Sequence, residues 1–122
     1  IGKQTKIVLV TLSCITTTAR GVIKKYPDVG LLKLRLFKPF PRKSVLEALK
    51  DLPEDAIIAN IERNFIGDNE GAVMQEMLRA LYGKNYKLRD FYVGVGGKDV
   101  PPESIEKVIY MARNNPAMVN WI

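Results

Sequence analysis

The order of apolar and polar residues predicts strands and helices that alternate along the chain. Short β-prone apolar segments predict strands at residues 6–12, 29–36, 56–61 and 89–95. Between and after them, apolar residues recur at helical spacing and predict helices at residues 15–26, 41–52, 71–82 and 102–113. Residues 118–122 form either a short fifth strand or a docked tail.

The pattern within each element indicates how it packs. The first strand is apolar on both faces, which is typical of a buried strand in a parallel sheet. The second alternates leucines with Lys33 and Arg35, which indicates either a strand near a sheet edge or one flanked by a helix that leaves a gap. The βαβαβαβα order predicts an α/β fold, a three-layer α/β/α sandwich on a mostly parallel sheet of four to five strands.

Each helix has a predicted inward stripe. In the first and last helices the stripes are Ile15, Ala19, Val22, Ile23 and Tyr26, and Ile105, Val108, Ile109 and Ala112. In the second and third they are Val45, Leu46, Leu49 and Leu52, and Met74, Met77, Leu78, Leu81 and Tyr82. Gly83 is expected to close the third helix as a carboxyl-terminal glycine.

The composition excludes several classes of functional site. A length of 122 residues suits one domain, residues 1–122. One cysteine, Cys14, excludes an internal disulfide and a self-contained cysteine-based zinc or iron–sulfur site, and the absence of histidine excludes His-dependent triads. No apolar run approaches the roughly 20 residues of a membrane span, so no membrane association is expected.

The net charge of +6 is concentrated in the first half of the chain. Residues 1–50 hold 11 Lys and Arg against 2 acids (+9), and residues 51–122 hold 8 against 11 (−3). A basic half is compatible with nucleic-acid binding, with a solvated face or with an acidic neighbour in an assembly. The basic residues form no run of five, so no nucleic-acid partner is expected.

Right-handed crossovers place every strand-to-helix loop at the carboxyl edge of the sheet, where open α/β sheets bind ligands. The loops are residues 13–18, 37–41, 62–70 and 94–100. The first offers hydroxyls to an anion or caps its helix, and the last resembles a phosphate loop but lacks its Lys-Ser/Thr ending.

The other two loops each have a functional and a structural interpretation. In loop 62–70, Glu62 with Asp68 or Glu70 is a candidate acid–base pair or hard-cation site, against capping and interface contacts. In loop 37–41, two rings and two prolines either anchor a protein contact or fold back on the domain.

Several segments resemble the alpha subunits of pyruvate and related 2-oxoacid:ferredoxin oxidoreductases. They are GLLKLRLFKPFP (residues 30–41), IERN (61–64) with Gly67, Glu70 and Gly71, ALYG (80–83), VGVGGKDV (93–100) with Pro102, Glu103, Ile105 and Glu106, and NWI (120–122). Together they extend over nearly the whole chain. The family usually has Gly-Ser where this chain has Leu12, Ser13 and Cys14.

The resemblance implies the second domain of that subunit, similar to the carboxyl-terminal domain of transketolase. Because the chain starts without Met, we expect a fragment of a longer alpha subunit. The resemblance implies a cytoplasmic parent enzyme that converts a 2-oxoacid to an acyl-CoA. It implies thiamine diphosphate, magnesium and iron–sulfur clusters as cofactors, coenzyme A as a substrate, and ferredoxin or flavodoxin as electron acceptor.

The resemblance assigns no catalytic, cofactor-binding or metal-binding residue to this segment, so no cofactor is expected on it. It implies contacts with the other domains and subunits of the enzyme. The candidate interface residues are Phe37, Pro39, Phe40, Pro41, Glu62, Arg63, Asn64 and Gly67. The alternative is a stand-alone Rossmann-like domain that binds a nucleotide or an anion.

Overall fold

In the computed structural model, the structure describes residues 1–12, 15–34, 41–63, 72–93, 100–117 and 119–121, with the backbone alone at 12, 63, 72–75 and 119–121. The strands are β1 (Ile7–Leu12), β2 (Val29–Leu34), β3 (Ile57–Arg63), β4 (Lys87–Val93) and β5 (Val119–Trp121). The helices are α1 (Ile15–Ile23), α2 (Arg42–Ala48), α3 (Ala72–Ala80) and α4 (Pro102–Asn114).

The strands form one parallel sheet in the order β2-β1-β3-β4-β5. The predicted fold class is therefore confirmed, and residues 119–121 are a fifth strand rather than a docked tail. The predicted edge position of β2 is also confirmed. The chain runs outward from β1 to β2 and then returns to β3 on the other side of β1, so the strand order reverses between β1 and β3.

Two apolar layers fill the space between the sheet and its helices. One layer joins Ile7, Leu9, Ile61 and Phe91 of the strands to the inward faces of α1 and α4. The other joins Val8, Val10 and Ile58 to the inward faces of α2 and α3. Strands β1 to β4 carry apolar residues on both faces, as is typical of parallel strands that are covered by helices on both sides.

The predicted stripes of α1 and α4 are confirmed. Ile15, Ala19 and Val22 are buried, Ile23 and Tyr26 pack partly buried against the same layer, and all four inward residues of α4 are buried. Pro101 and Pro102 stand at the start of α4, where the missing N–H groups of proline have no intrahelical partner to lose.

Several predicted boundaries are wrong by two to four residues. The third strand does not end at residue 61, because Glu62 and Arg63 pair with Tyr92 and Val93 of β4. The second helix ends at Ala48 rather than residue 52, although Leu49 and Leu52 beyond it are still buried. The first and third helices end at residues 23 and 80 rather than 26 and 82, and the fourth strand begins at residue 87 rather than 89.

The predicted stripe of α3 is wrong for two residues. Met77 and Leu81 are buried, whereas Leu78 is 43% and Tyr82 91% exposed. The helix turns Met77, Ala80 and Leu81 to the sheet, which leaves the neighbouring side of the apolar stripe in solvent. Gly83 follows with φ of +87°, so the predicted carboxyl-terminal glycine is confirmed.

Candidate domain interface at the carboxyl edge of the sheet

All five strands end at the same edge of the sheet because they are parallel. The reversal of strand order lies between the carboxyl ends of β1 and β3. In open α/β sheets such a reversal opens a crevice at this edge. The strands that precede the predicted interface segments, β2 and β3, both end at this edge, at Leu34 and Arg63.

Pro41 lies immediately before α2 and is half-buried. Its carbonyl oxygen accepts a hydrogen bond from the Val45 N–H at 3.0 Å, so Pro41 caps the helix instead of forming its first turn. Phe37, Pro39, Phe40, Asn64 and Gly67 lie outside the described residues, as do Ser13, Cys14, Asp68, Glu70 and the segment 94–99.

Glu62 is the second-last residue of β3, and it is only 8% exposed. It is on the face that packs against α2 and α3, since Ile58, four residues earlier, belongs to that apolar layer. The backbone of Arg63 pairs with Val93 and completes the ladder. Glu62 is therefore part of the sheet rather than of a solvent-exposed loop.

A second buried carboxyl lies next to Glu62. Asp90 is on β4, the neighbouring strand, is 2% exposed and makes a side-chain hydrogen bond with Glu62. Burial, and then the bond to and the charge of Glu62, raise the pKa of Asp90 to about 8. Hydrogen bonds from the Tyr92 side chain and the Phe91 backbone act in the opposite direction and do not offset this rise.

The beginning of α1 is held to the end of β1 by a buried hydrogen bond. The hydroxyl oxygens of Thr11 and Thr16 are 2.8 Å apart, and both residues are nearly inaccessible to solvent. The Thr16 hydroxyl, which the sequence offered to an anion or to capping, is thus engaged inside the domain.

A groove of about 470 Å³ lies at the opposite edge, beside the amino-terminal ends of β1 and β3. Lys3, Lys6, Arg113 and Asp55 are among its lining residues. Arg113 is already paired with Asp28, at 2.7 Å. The groove is therefore remote from the edge where the sequence places the candidate ligand loops.

In the described ranges no group of three or more Cys, Asp or Glu side chains is placed to hold a metal ion. None of the helices that the structure describes is long and apolar enough to cross a bilayer.

Sequence reasoning missed Asp90 and Asn60, which are both buried on the face of Glu62. Asn60 is the register partner of Asp90, and Glu62 is that of Tyr92. The available signal was a polar residue inside each of two otherwise apolar strands, because a buried polar group needs a partner.

Known proteins resemble this chain over most of its length. The family model of pyruvate:ferredoxin oxidoreductase core domain II matches residues 5–105, which begin two residues before β1 and end within α4. The pyruvate synthase subunit PorA of Methanocaldococcus jannaschii is 38% identical over 107 residues, 84% of this chain and 26% of PorA.

Two further relatives agree. PorA of Methanosarcina barkeri is 34% identical over 110 residues, 85% of this chain and 27% of that protein. The ketoisovalerate oxidoreductase subunit VorA of Pyrococcus horikoshii is 33% identical over 82 residues, 66% of this chain and 20% of VorA. The chain thus spans about a quarter of the length of the relatives that it matches. Because the family model matches most of the chain, the chain belongs to the pyruvate:ferredoxin oxidoreductase core domain II family.

Proposed function

We propose that residues 1–122 form the second core domain of the alpha subunit of a 2-oxoacid:ferredoxin oxidoreductase. The observation that carries this proposal is the family match over residues 5–105, which includes the first four strands and the helices between them. The parent enzyme oxidatively decarboxylates a 2-oxoacid, passes two electrons to ferredoxin or flavodoxin and joins the acyl group to coenzyme A. Its location is the cytoplasm.

The role of this domain within the enzyme is assembly rather than chemistry. An iron–sulfur cluster requires about four cysteine ligands, and this chain has one. The chain also lacks histidine, the most common general base. The clusters are therefore assigned to other domains or subunits. The family resemblance assigns thiamine diphosphate and its magnesium ion to other domains as well, and we assign no step of the reaction to a residue here.

The carboxyl edge of the sheet is the proposed contact surface. Its candidate residues are Phe37, Pro39, Phe40, Pro41, Glu62, Arg63, Asn64 and Gly67. Rings and prolines on a connecting segment give large contact areas at a small entropic cost, which is typical of interface anchors. Because Glu62 is buried in the sheet, its role is to shape this edge from within rather than to touch a neighbour.

A domain exchange tests the proposal. The segment of Methanocaldococcus jannaschii PorA that matches this chain is replaced by residues 1–122, and the chimera is produced with its partner subunits. We expect an assembled complex that reduces an electron acceptor when pyruvate and coenzyme A are added. The matched control carries an unrelated parallel α/β domain of equal length, and equal assembly of both chimeras would contradict the proposal.

The contact surface is tested in the same chimera with Phe37→Ala and Phe40→Ala together. We expect the assembled fraction to fall at least several-fold because interface anchors carry most of the binding energy. Tyr82→Ala and Tyr110→Ala together serve as the control, since both rings are exposed away from the packed faces. Unchanged assembly of the Phe37/Phe40 variant would exclude this edge as the contact.

The alternative of a stand-alone ligand-binding domain makes a different prediction. It requires the isolated chain to bind a nucleotide, coenzyme A or thiamine diphosphate saturably at micromolar concentration. Isothermal titration of residues 1–122 with each compound separates the two hypotheses, and we expect no saturable heat.

A further inference from the structure

Glu62 and Asp90 place two carboxyl groups side by side in the middle of the sheet. β3 and β4 are the third and fourth strands of the five described, and their register sets Glu62 opposite Tyr92 and Asp90 opposite Asn60. The two carboxyls are therefore diagonal neighbours on one face. That face is the one covered by α2 and α3, because Ile58 and Leu88 lie on it.

The hydrogen bond between these carboxyls requires a proton. An ionised carboxylate only accepts hydrogen bonds, so two carboxylates cannot bond to each other, whereas a protonated carboxyl donates to a carboxylate. Both groups are more than nine-tenths buried, which weakens the screening that would let two negative charges stand together. A bond between the two carboxyls therefore requires a proton, which burial favours on Asp90.

Few other titratable groups face the pair among the side chains that the structure describes. Of the described side chains, Tyr92 donates to Asp90, and no cation contributes to the shift of its pKa. The neighbouring β1 turns Val8 and Val10 to this face. The charged residues described on the covering helices are directed outward: Glu76 binds Arg79 at 2.8 Å on α3, and Arg42, Lys43 and Glu47 of α2 are exposed.

We propose that the Glu62–Asp90 carboxyl pair is a proton-dependent clasp between β3 and β4, which is closed while it holds one proton and opens when that proton is released to solvent. In the closed state the Asp90 O–H donates to the Glu62 carboxylate and adds a side-chain bond to the ladder. In the open state two buried carboxylates repel each other across the same strands. The domain then responds to alkaline pH through its sheet. This inference does not depend on the proposed function.

The position of the pair determines which part of the fold responds. Glu62 and Arg63 are the last residues of β3, and their pairing with Tyr92 and Val93 is the carboxyl end of the β3–β4 ladder. Release of the proton therefore loosens this end first. The β1–β2 ladder lies on the opposite side of β3 from β4, towards the β2 edge of the sheet, and does not include the pair.

Asp90→Asn tests the clasp because an asparagine amide donates to Glu62 at every pH and carries no charge. Urea unfolding of residues 1–122 is followed by circular dichroism from pH 5 to pH 9. In the native state Asp90 keeps a proton that the unfolded chain has lost, so stability declines as pH rises towards the native pKa. The unfolding constant of the unchanged chain should therefore rise, relative to Asp90→Asn, by up to about tenfold per pH unit.

Asp55→Asn is the matched control, since Asp55 is exposed and the change removes the same charge. It should follow the unchanged chain over the whole pH range. Glu62→Gln should flatten the profile in part, because it removes the repulsion and leaves the burial of Asp90. A slope for Asp90→Asn equal to that of Asp55→Asn would overturn the proposal.

A measurement on the unchanged chain needs no variant to fold. Carboxyl ¹³C shifts of Asp90 and Glu62 are recorded by NMR during a pH titration, together with amide exchange normalised for its intrinsic pH dependence. We expect Asp90 to be protonated at pH 6, and the protection of residues 62, 63, 92 and 93 to fall more than that of residues 8–10 as Asp90 ionises. Two ionised carboxyls at pH 6 would overturn the clasp.

Discussion

Arg113 near the end of α4 binds Asp28, which precedes β2, with 2.7 Å between Nη2 and Oδ1. The Asp28 backbone carbonyl accepts hydrogen bonds from the N–H groups of Lys6 and Ile7 at the start of β1, at 2.8 and 3.2 Å. Residues 85 positions apart thus join two strands and one helix at the amino-terminal edge. The guanidinium of Arg113 also lies 6.0 Å from the centre of the Tyr26 ring.

Arg113→Ala should lower the free energy of unfolding by about 1 kcal/mol at pH 7, because the pair is only partly exposed but still screened by solvent. The hydrogen bond and charge of Arg113 hold the pKa of Asp28 below its usual range. A depressed native pKa gives stability that is present above the unfolded pKa of about 4 and is lost as pH falls through the native value.

The difference in the free energy of unfolding between the unchanged chain and Arg113→Ala should therefore shrink below about pH 4, the unfolded pKa of Asp. Urea unfolding at pH 3 to 7 measures it. Lys50→Ala removes an exposed ion pair with Glu47 and should change stability by less than about 0.5 kcal/mol. A difference for Arg113→Ala that is independent of pH would assign the effect to lost packing instead.

Met77→Ala and Leu78→Ala test the orientation of α3. Met77 is fully buried against the sheet, and its truncation should cost about 2–5 kcal/mol through lost burial and the cavity left behind. Leu78 is adjacent in sequence but 43% exposed, so its truncation should cost less than about 1 kcal/mol. Thermal unfolding monitored at 222 nm compares the two, and equal costs would contradict the observed orientation.

Gly83→Ala and Gly21→Ala should have opposite effects. Gly83 has φ of +87°, where an added Cβ costs about 1–2 kcal/mol although no atom lies within 4 Å of it. Gly21 lies inside α1 with open space around its Cβ position, so alanine should add about 0.5–1 kcal/mol by its higher helix propensity. Chemical denaturation of both variants gives the signs, and destabilisation by Gly21→Ala would be the contrary result.

The sequence allowed the type and order of eight of the nine described elements to be predicted, because burial between sheet and helices imposes a regular spacing of apolar residues on each of them, and it left β5 open between a strand and a docked tail. It did not fix the rotation of α3, since Met77, Leu78, Leu81 and Tyr82 all satisfy a helical stripe. Only the contacts with β3 and β4 decide which of them is buried. Local periodicity predicts that a helix has an apolar face, and packing against the sheet determines which residues of that face are buried.

The polar interior was less predictable. The polar segment 62–70 with Gly67 predicts a loop, and Glu62 is its first residue. Its neighbour Asp90 is 28 positions away and was interpreted only as part of an apolar strand. The sequence pattern of neither strand indicates that the other carries a buried carboxyl. Their bond therefore follows only from the β3–β4 register.

Tyr86→Phe tests the support of the short helix α2. The Tyr86 hydroxyl donates to the carbonyl oxygen of Leu49 at 3.1 Å and lies 3.5 Å from that of Leu52. The Leu49 carbonyl also accepts a hydrogen bond from the Leu52 N–H at 3.0 Å, so the phenol adds a second bond to the turn that follows α2. We expect a loss of about 1 kcal/mol in the free energy of unfolding. Tyr110→Phe is the control, because Tyr110 is 67% exposed and should change stability by less than about 0.5 kcal/mol.

The same hydroxyl gives this prediction a dependence on pH. Burial, and then the charge of Glu54, raise the pKa of Tyr86 above its usual value. A raised native pKa means that the unfolded chain releases its phenolic proton first, so the unchanged chain loses stability as pH rises above about 10. Phenylalanine has no such proton. The cost of Tyr86→Phe should therefore narrow between pH 9 and about pH 11, and a cost that stays constant in urea titrations over this range would show that the phenol is not shielded from solvent.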